Sequence, residues 1–144
     1  DLLEVGILNK DDITNLKCVG FMRNSLDRFM SICNYEKKSP DIIIDEIKNG
    51  RDLTQVLHFK QKNPWNIYIF NYDDKARIKS WFKKQFNIDL DLTKKDNISK
   101  KTYIAENLTQ NQLKFIRNYF REDDQLISII KRSPRPFKYF KISL

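Results

Sequence analysis

Apolar positions along this chain change period from one segment to the next. Lys17 to Met22 is a short apolar run bounded by polar residues, which predicts a buried strand. Trp65 to Tyr72 is aromatic and β-branched and runs into a turn, which predicts a second strand. Between them the spacing is helical. Leu26, Phe29, Met30 and Cys33 recur on one face behind a cap at Asn24 or Ser25. Ser39-Pro40-Asp41 restarts a helix, and Asn49-Gly50 stops it after Lys48. Ile78, Trp81, Phe82 and Phe86 form one face of a helix from Lys75 to Asn87, with Lys79, Lys83 and Lys84 outside the stripe. Asp73-Asp74 suits that helix's N-terminus electrostatically.

Further on, Thr109-x-x-Gln112 is a capping-box signature. It opens a helix whose core face is Leu113, Ile116, Tyr119 and Phe120. Glu122-Asp123-Asp124 either breaks that helix or leads into another carrying Leu126, Ile127 and Ile130. Pro134 and Pro136 end helical structure. Phe137 to Leu144 reads as a short edge strand or a free tail, and Asp1 to Leu16 stays ambiguous. Arg51 to Asn63, with room for a short helix, and Asn87 to Lys101 read as connectors.

The order strand, helices, strand, helix, helices predicts an α/β fold, a parallel sheet flanked by helices. Ligands of such sheets collect at the carboxyl ends of the strands. Arg23 directly follows the first strand. With 144 residues, 1–144 reads as a single domain. Hydrophobic content of 40% and ten Phe are enough for a core, unlike the composition of a disordered chain.

The 27 Lys+Arg outnumber the 19 Asp+Glu, for a net charge of +8. That surplus attracts nucleotides, acidic glycans, nucleic acid or anionic membrane without choosing among them. A solvated Lys-rich surface explains it equally well. Cys18 and Cys33 read as buried free thiols, and no CxxC or metal-ligand spacing occurs. No run approaches the ~20 apolar residues a membrane-spanning helix needs. No signal peptide is visible, which favours the cytoplasm and leaves the compartment open.

Candidate chemistry centres on Arg23, Arg28 and Ser31. An arginine at a strand end supplies a rigid fork of donors, and a serine about two helical turns on adds a short one. Together they suit a terminal phosphate; spacing alone fits a surface arginine and a solvated serine as well. His58 is a candidate general base or a structural loop histidine. Asn97-x-Ser99 and Asn107-x-Thr109 have the glycosylation triplet pattern. Lys131, Arg132, Arg135, Lys138 and Lys141 either bind a polyanion or are solvated. The aromatic and basic residues of 75–87 describe an ordinary amphipathic helix, which disfavours nucleic acid as a partner.

The stretch from Met22 to Tyr35, MRNSLDRFMSICNY, resembles the 3′-phosphate-binding motif of sulfotransferases. These enzymes use 3′-phosphoadenosine 5′-phosphosulfate (PAPS). The likeness is to the carbohydrate type, whose pattern runs Arg-Asp/Asn-Pro-x-x-Arg-x-x-Ser-x-Tyr. The resemblance implies that Arg23 and Ser31 hold the cofactor's 3′-phosphate and that Arg28 supports the site. It implies a P-loop-like sulfotransferase fold and transfer of a sulfuryl group to a hydroxyl or amine, with carbohydrate as acceptor and PAP as product. Ser25 stands where the family has Pro, and Tyr35 comes later than the family's aromatic.

Trp65 to Tyr72 resembles the family's later strand, with Tyr72-Asp73 in place of its aromatic-acidic pair. Asn97-Ile98-Ser99 resembles its Asn-x-Ser segment, and Leu108 to Ile130 its terminal helix. The family's Lys-x-Gly-x-x-Ser/Thr loop, which cradles the 5′-phosphosulfate, has no counterpart before Cys18. On this expectation 1–144 lacks an upstream 5′-phosphosulfate-binding segment, and the catalytic base is unassigned. The rival expectations are a basic module for nucleic acid or anionic glycan, and a non-catalytic sulfotransferase-like domain.

Overall fold

The computed structural model describes residues 17–56, 66–93, 101–133 and 137–139. In chain order the elements are β1 (Lys17–Met22), α1 (Ser25–Glu36), α2 (Pro40–Lys48), β2 (Asn66–Asn71) and α3 (Lys75–Phe86). A 3-10 turn (Ala105–Asn107), α4 (Gln110–Tyr119), α5 (Arg121–Arg132) and β3 (Phe137–Tyr139) follow. The class is α/β. The strands form one sheet in the order β1-β2-β3. β1 and β2 are parallel, in register from Lys17↔Asn66 to Met22↔Asn71. β3 runs antiparallel to β2, pairing Ile67↔Tyr139 and Ile69↔Phe137. The expectation of a parallel sheet therefore holds for β1 and β2 alone, and the start of the tail is a strand.

Local chemistry accounts for most boundaries. Asn24 caps α1, its Oδ1 accepting from the Leu26 and Asp27 amides at 3.1 and 3.2 Å. Ser39 caps α2 with Pro40 in the first turn. Gly50 follows α2 at φ 99°, a left-handed conformation that costs glycine little. Asp74 caps α3 through the Arg77 amide at 3.1 Å. Both bonds of the Thr109/Gln112 capping box form at the head of α4. The first helix, α4, ends at Tyr119, and Glu122-Asp123-Asp124 belongs to a second helix that follows Phe120. These residues lie in the first turn of α5, where the helix dipole favours acidic side chains.

The sheet is covered on both faces, so alternate residues enter different packing groups. Met22, Ile67 and Ile69 pack with Val56 and with Ile127 and Ile130 of α5. Phe70 packs against Ile78 and Trp81 of α3, with Val19 and Tyr68 on the same side. A third cluster joins α1, α2 and α4 through Phe29, Cys33, Ile43, Ile47, Ile116 and Phe120. Three expected buried positions differ: Phe21 in β1 is 45% exposed, Cys18 is only half-buried, and Phe86 stands out of the core. Phe86 is 43% exposed, because it sits in the last turn of α3, although its ring lies 5.4 Å from that of Trp81.

Polar ties hold the layers. Asn34 is buried in α1; its Nδ2 donates to the carbonyls of Met30 and Tyr103, both at 2.8 Å. Its Oδ1 accepts from the amides of Thr102 and Tyr103 at 2.7 and 2.8 Å. Arg51 bridges Glu36 of α1 and Glu46 of α2. Cys18 and Cys33 are free thiols. Burial pushes the thiol of Cys33 up to about 11 and that of Cys18 upward, so both resist ionisation. Among the described residues no helix is long and apolar enough to cross a membrane. His58, Asn97, Ser99, Arg135 and Lys141 lie outside the described residues.

Candidate anion-binding site

Because β1 and β2 are parallel, their carboxyl ends lie at the same edge of the sheet. The Tyr72 amide donates to the Met22 carbonyl at 2.7 Å, carrying the pairing past the last strand residues. Arg23 and Tyr72 therefore leave the sheet side by side. The Arg23 guanidinium carbon lies 5.9 Å from the centroid of the Tyr72 ring. Lys75, at the start of α3, places its Nζ 3.1 Å from the same centroid. Cation–π attraction thus gathers two positive groups around one aromatic ring at the strand ends. Tyr72 is 45% exposed and Arg23 is exposed. Among the described residues the Arg23 guanidinium has no carboxylate partner.

The main chain of Arg23 is held from behind. The buried carboxamide of Gln55 accepts from the Arg23 amide and donates to the Arg23 carbonyl, each at 2.8 Å. This pair of bonds does what a neighbouring strand would do for a residue just beyond the ladder. Gln55 is fixed in turn by Asp123, which is fully buried in α5. The Asp123 carboxylate accepts the Gln55 amide at Oδ2 and the Val56 amide at Oδ1, both at 2.8 Å. The next residue, Asp124, accepts the Ser25 hydroxyl at 2.6 Å. So the first turn of α5 anchors residues 23–25 twice. At the position where the resembled family has proline, Ser25 makes one of those anchors.

Arg28 lies one turn into α1, half-buried, with its Nε donating to the Leu53 carbonyl at 3.3 Å. Burial lowers its proton affinity most; the Asp123 charge raises it, and the nearby Arg23 charge lowers it again. Arg23 and Arg28 are thus electrostatic neighbours, with Arg28 turned toward the protein and Arg23 toward solvent. Ser31 stands three residues beyond Arg28 on α1, where side chains are neighbours. It is half-buried, and among the described residues its hydroxyl has no hydrogen-bond partner. The structure brings Arg23 and Arg28 together and leaves Ser31 unbonded to either.

This arrangement suits anion capture. Arg23 offers a planar fork and Lys75 a compact charge beside the same ring. Among the described residues no group of three His, Cys, Asp or Glu is arranged to hold a metal ion. Gln55, Asp123, Asp124 and Lys75 were not legible as site residues in the sequence. Lys75 carried the one usable signal, its place just after an aromatic strand end. No protein-family model, curated protein or solved structure matches this chain.

Proposed function

We propose that this chain is a PAPS-dependent sulfotransferase domain that holds the adenosine 3′-phosphate of the cofactor. The observation that carries this reading is the position of Arg23. It is an exposed guanidinium at the carboxyl ends of two parallel strands, without a carboxylate partner among the described residues, with its backbone clamped and Lys75 close by. The resemblance of Met22 to Tyr35 to the family's 3′-phosphate motif assigns the same residue independently of that geometry.

The donor set fits a phosphate dianion. Arg23 would make the bidentate contact, Ser31 would add a hydroxyl donor, and Lys75 would supply further positive charge. Arg28 would keep the head of α1 in place through Leu53. When bound, PAPS supplies the sulfuryl group that passes to a hydroxyl or amine, on this reading of a carbohydrate. The residues described contribute affinity and orientation, which is how a protein accelerates an in-line group transfer.

Calorimetric titration with PAP and with AMP tests the proposal. PAP carries the extra 3′-phosphate and is expected to bind at least about tenfold more tightly, since bonds to a charged group contribute about 1.5–3 kcal/mol. Arg23→Ala is expected to abolish that preference with the fold retained by circular dichroism. Equal affinities for PAP and AMP, or an Arg23→Ala variant that keeps the preference, would refute it.

A further inference from the structure

A second basic feature lies on the outer face of α4 and α5. An open groove of about 520 Å³ is lined there by Arg117, Arg121, Asp124, Gln125, Ile129 and Arg132. Arg117 comes from α4, and the α5 members recur every three to four residues on one face of that helix. The opposite stripe of α5, carrying Asp123, Ile127 and Ile130, is buried. All three arginines are exposed. Among the described residues none of their guanidiniums has an ion-pair or hydrogen-bond partner. The carboxylate of Asp124 already accepts the Ser25 hydroxyl at 2.6 Å. Ile129, 52% exposed, is the apolar member among the described residues of this lining.

The combination narrows what fits. Single-stranded nucleic acid uses aromatic platforms for its bases, and among the described residues no aromatic side chain lines the groove. A simple polyanion would use the arginines and gain nothing from Ile129. A peptide with carboxylates flanking a bulky apolar side chain uses both, in the way helical grooves and arginine clusters recognise acidic segments.

We propose that the α4–α5 groove docks an acidic amphipathic segment of a partner protein, with carboxylates on Arg117, Arg121 and Arg132 and one apolar side chain against Ile129. The proposal does not depend on the nucleotide reading, because neither Arg23 nor Lys75 lines the groove.

Fluorescence anisotropy tests it with a labelled fifteen-residue glutamate-rich peptide carrying a central leucine. The same peptide with serine for leucine and an oligo-dT of equal charge serve as competing probes. The leucine peptide is expected to bind most tightly. Combined Arg121→Ser and Arg132→Ser should weaken it at least about tenfold, and Ile129→Ser about fivefold. Combined Lys79→Ser and Lys84→Ser, which remove the same charge from the exposed side of α3, should change it less than about twofold. Binding of the serine peptide or oligo-dT at equal strength would overturn the proposal. So would indifference to Ile129→Ser, or an equal loss in the lysine variant.

Discussion

Replacing Asp123 by asparagine changes one side-chain atom type and almost no volume. The fully buried carboxylate accepts the amides of Gln55 and Val56 on separate oxygens, both at 2.8 Å, with Gln55 Nε2 also within 3.4 Å. A carboxamide has one acceptor oxygen. Whichever way it is turned, its NH2 group faces one of those backbone donors. A bond to a charged acceptor is lost, worth about 1.5–3 kcal/mol, and a buried donor is left unpaired at about 1–3 kcal/mol. These two costs overlap, and the asparagine escapes the desolvation of a buried carboxylate. The expected net loss is therefore about 2–3 kcal/mol, a large part of the ~5–15 kcal/mol that stabilises an ordinary domain.

Urea unfolding followed by circular dichroism measures this loss. The midpoint should fall with an unchanged slope, since the surface exposed on unfolding stays the same. In a thermal melt the same loss corresponds to a Tm lower by roughly 6–12 °C for a chain of this size. Asp123→Ala, which also leaves a void, should lose more. An Asp123→Asn protein within ~0.5 kcal/mol of the unsubstituted one would show that the carboxylate does not hold the Gln55–Val56 backbone, and the support assigned to Arg23 would fall with it.

Three further outcomes are expected. Asn34→Ala removes three hydrogen bonds between α1 and residues 102–103, and a fourth to the Met30 carbonyl within α1. It should cost about 3 kcal/mol and speed amide exchange at Thr102 and Tyr103, and unchanged exchange there would contradict the tie. Glu36 bonds to Arg51 first and Lys38 second, and this holds its carboxyl at about 2 against an ordinary 4.5. With the folded value depressed, its stabilising contribution is full above about 4.5 and disappears as pH falls through about 2. The stability gap between the natural chain and Glu36→Gln should therefore close on acidification, and a gap of full size at pH 2 would count against the ion pairs. Gln55→Ala frees both backbone groups of Arg23. On the phosphate-clamp reading it should weaken PAP binding about tenfold, and unchanged PAP affinity would remove Gln55 from any positioning role.

What was legible in the sequence was what neighbours in the chain decide. Asn24, Ser39, Asp74 and the Thr109/Gln112 pair announce their helices because a cap bonds residues two or three positions away. The edge location of Arg23 was legible for a different reason. In a parallel pair, any residue that follows a strand emerges at the carboxyl edge, whatever its side chain. The antiparallel course of β3 and the exposure of Phe86 depend on where distant segments arrive, and periodicity carries no such information.

The same distinction runs through the candidate site. Gln55 and Asp123 are 68 positions apart and meet only because α5 packs beneath the sheet. Acidic residues at 122–124 read locally as a helix start, and Asp123 does occupy one. Its rotation into the core, while Glu122 stays outside, makes it a support. The groups that meet solvent at this site, Arg23 and Tyr72, were therefore visible in the chain's own order. The buried groups that hold Arg23 still are products of tertiary packing. If the clamp is what makes Arg23 selective for a phosphate, Arg23→Lys in the intact clamp should lose more PAP affinity than a change of one cation for another suggests, because lysine cannot reproduce the planar fork carried on the backbone that Gln55 holds in place.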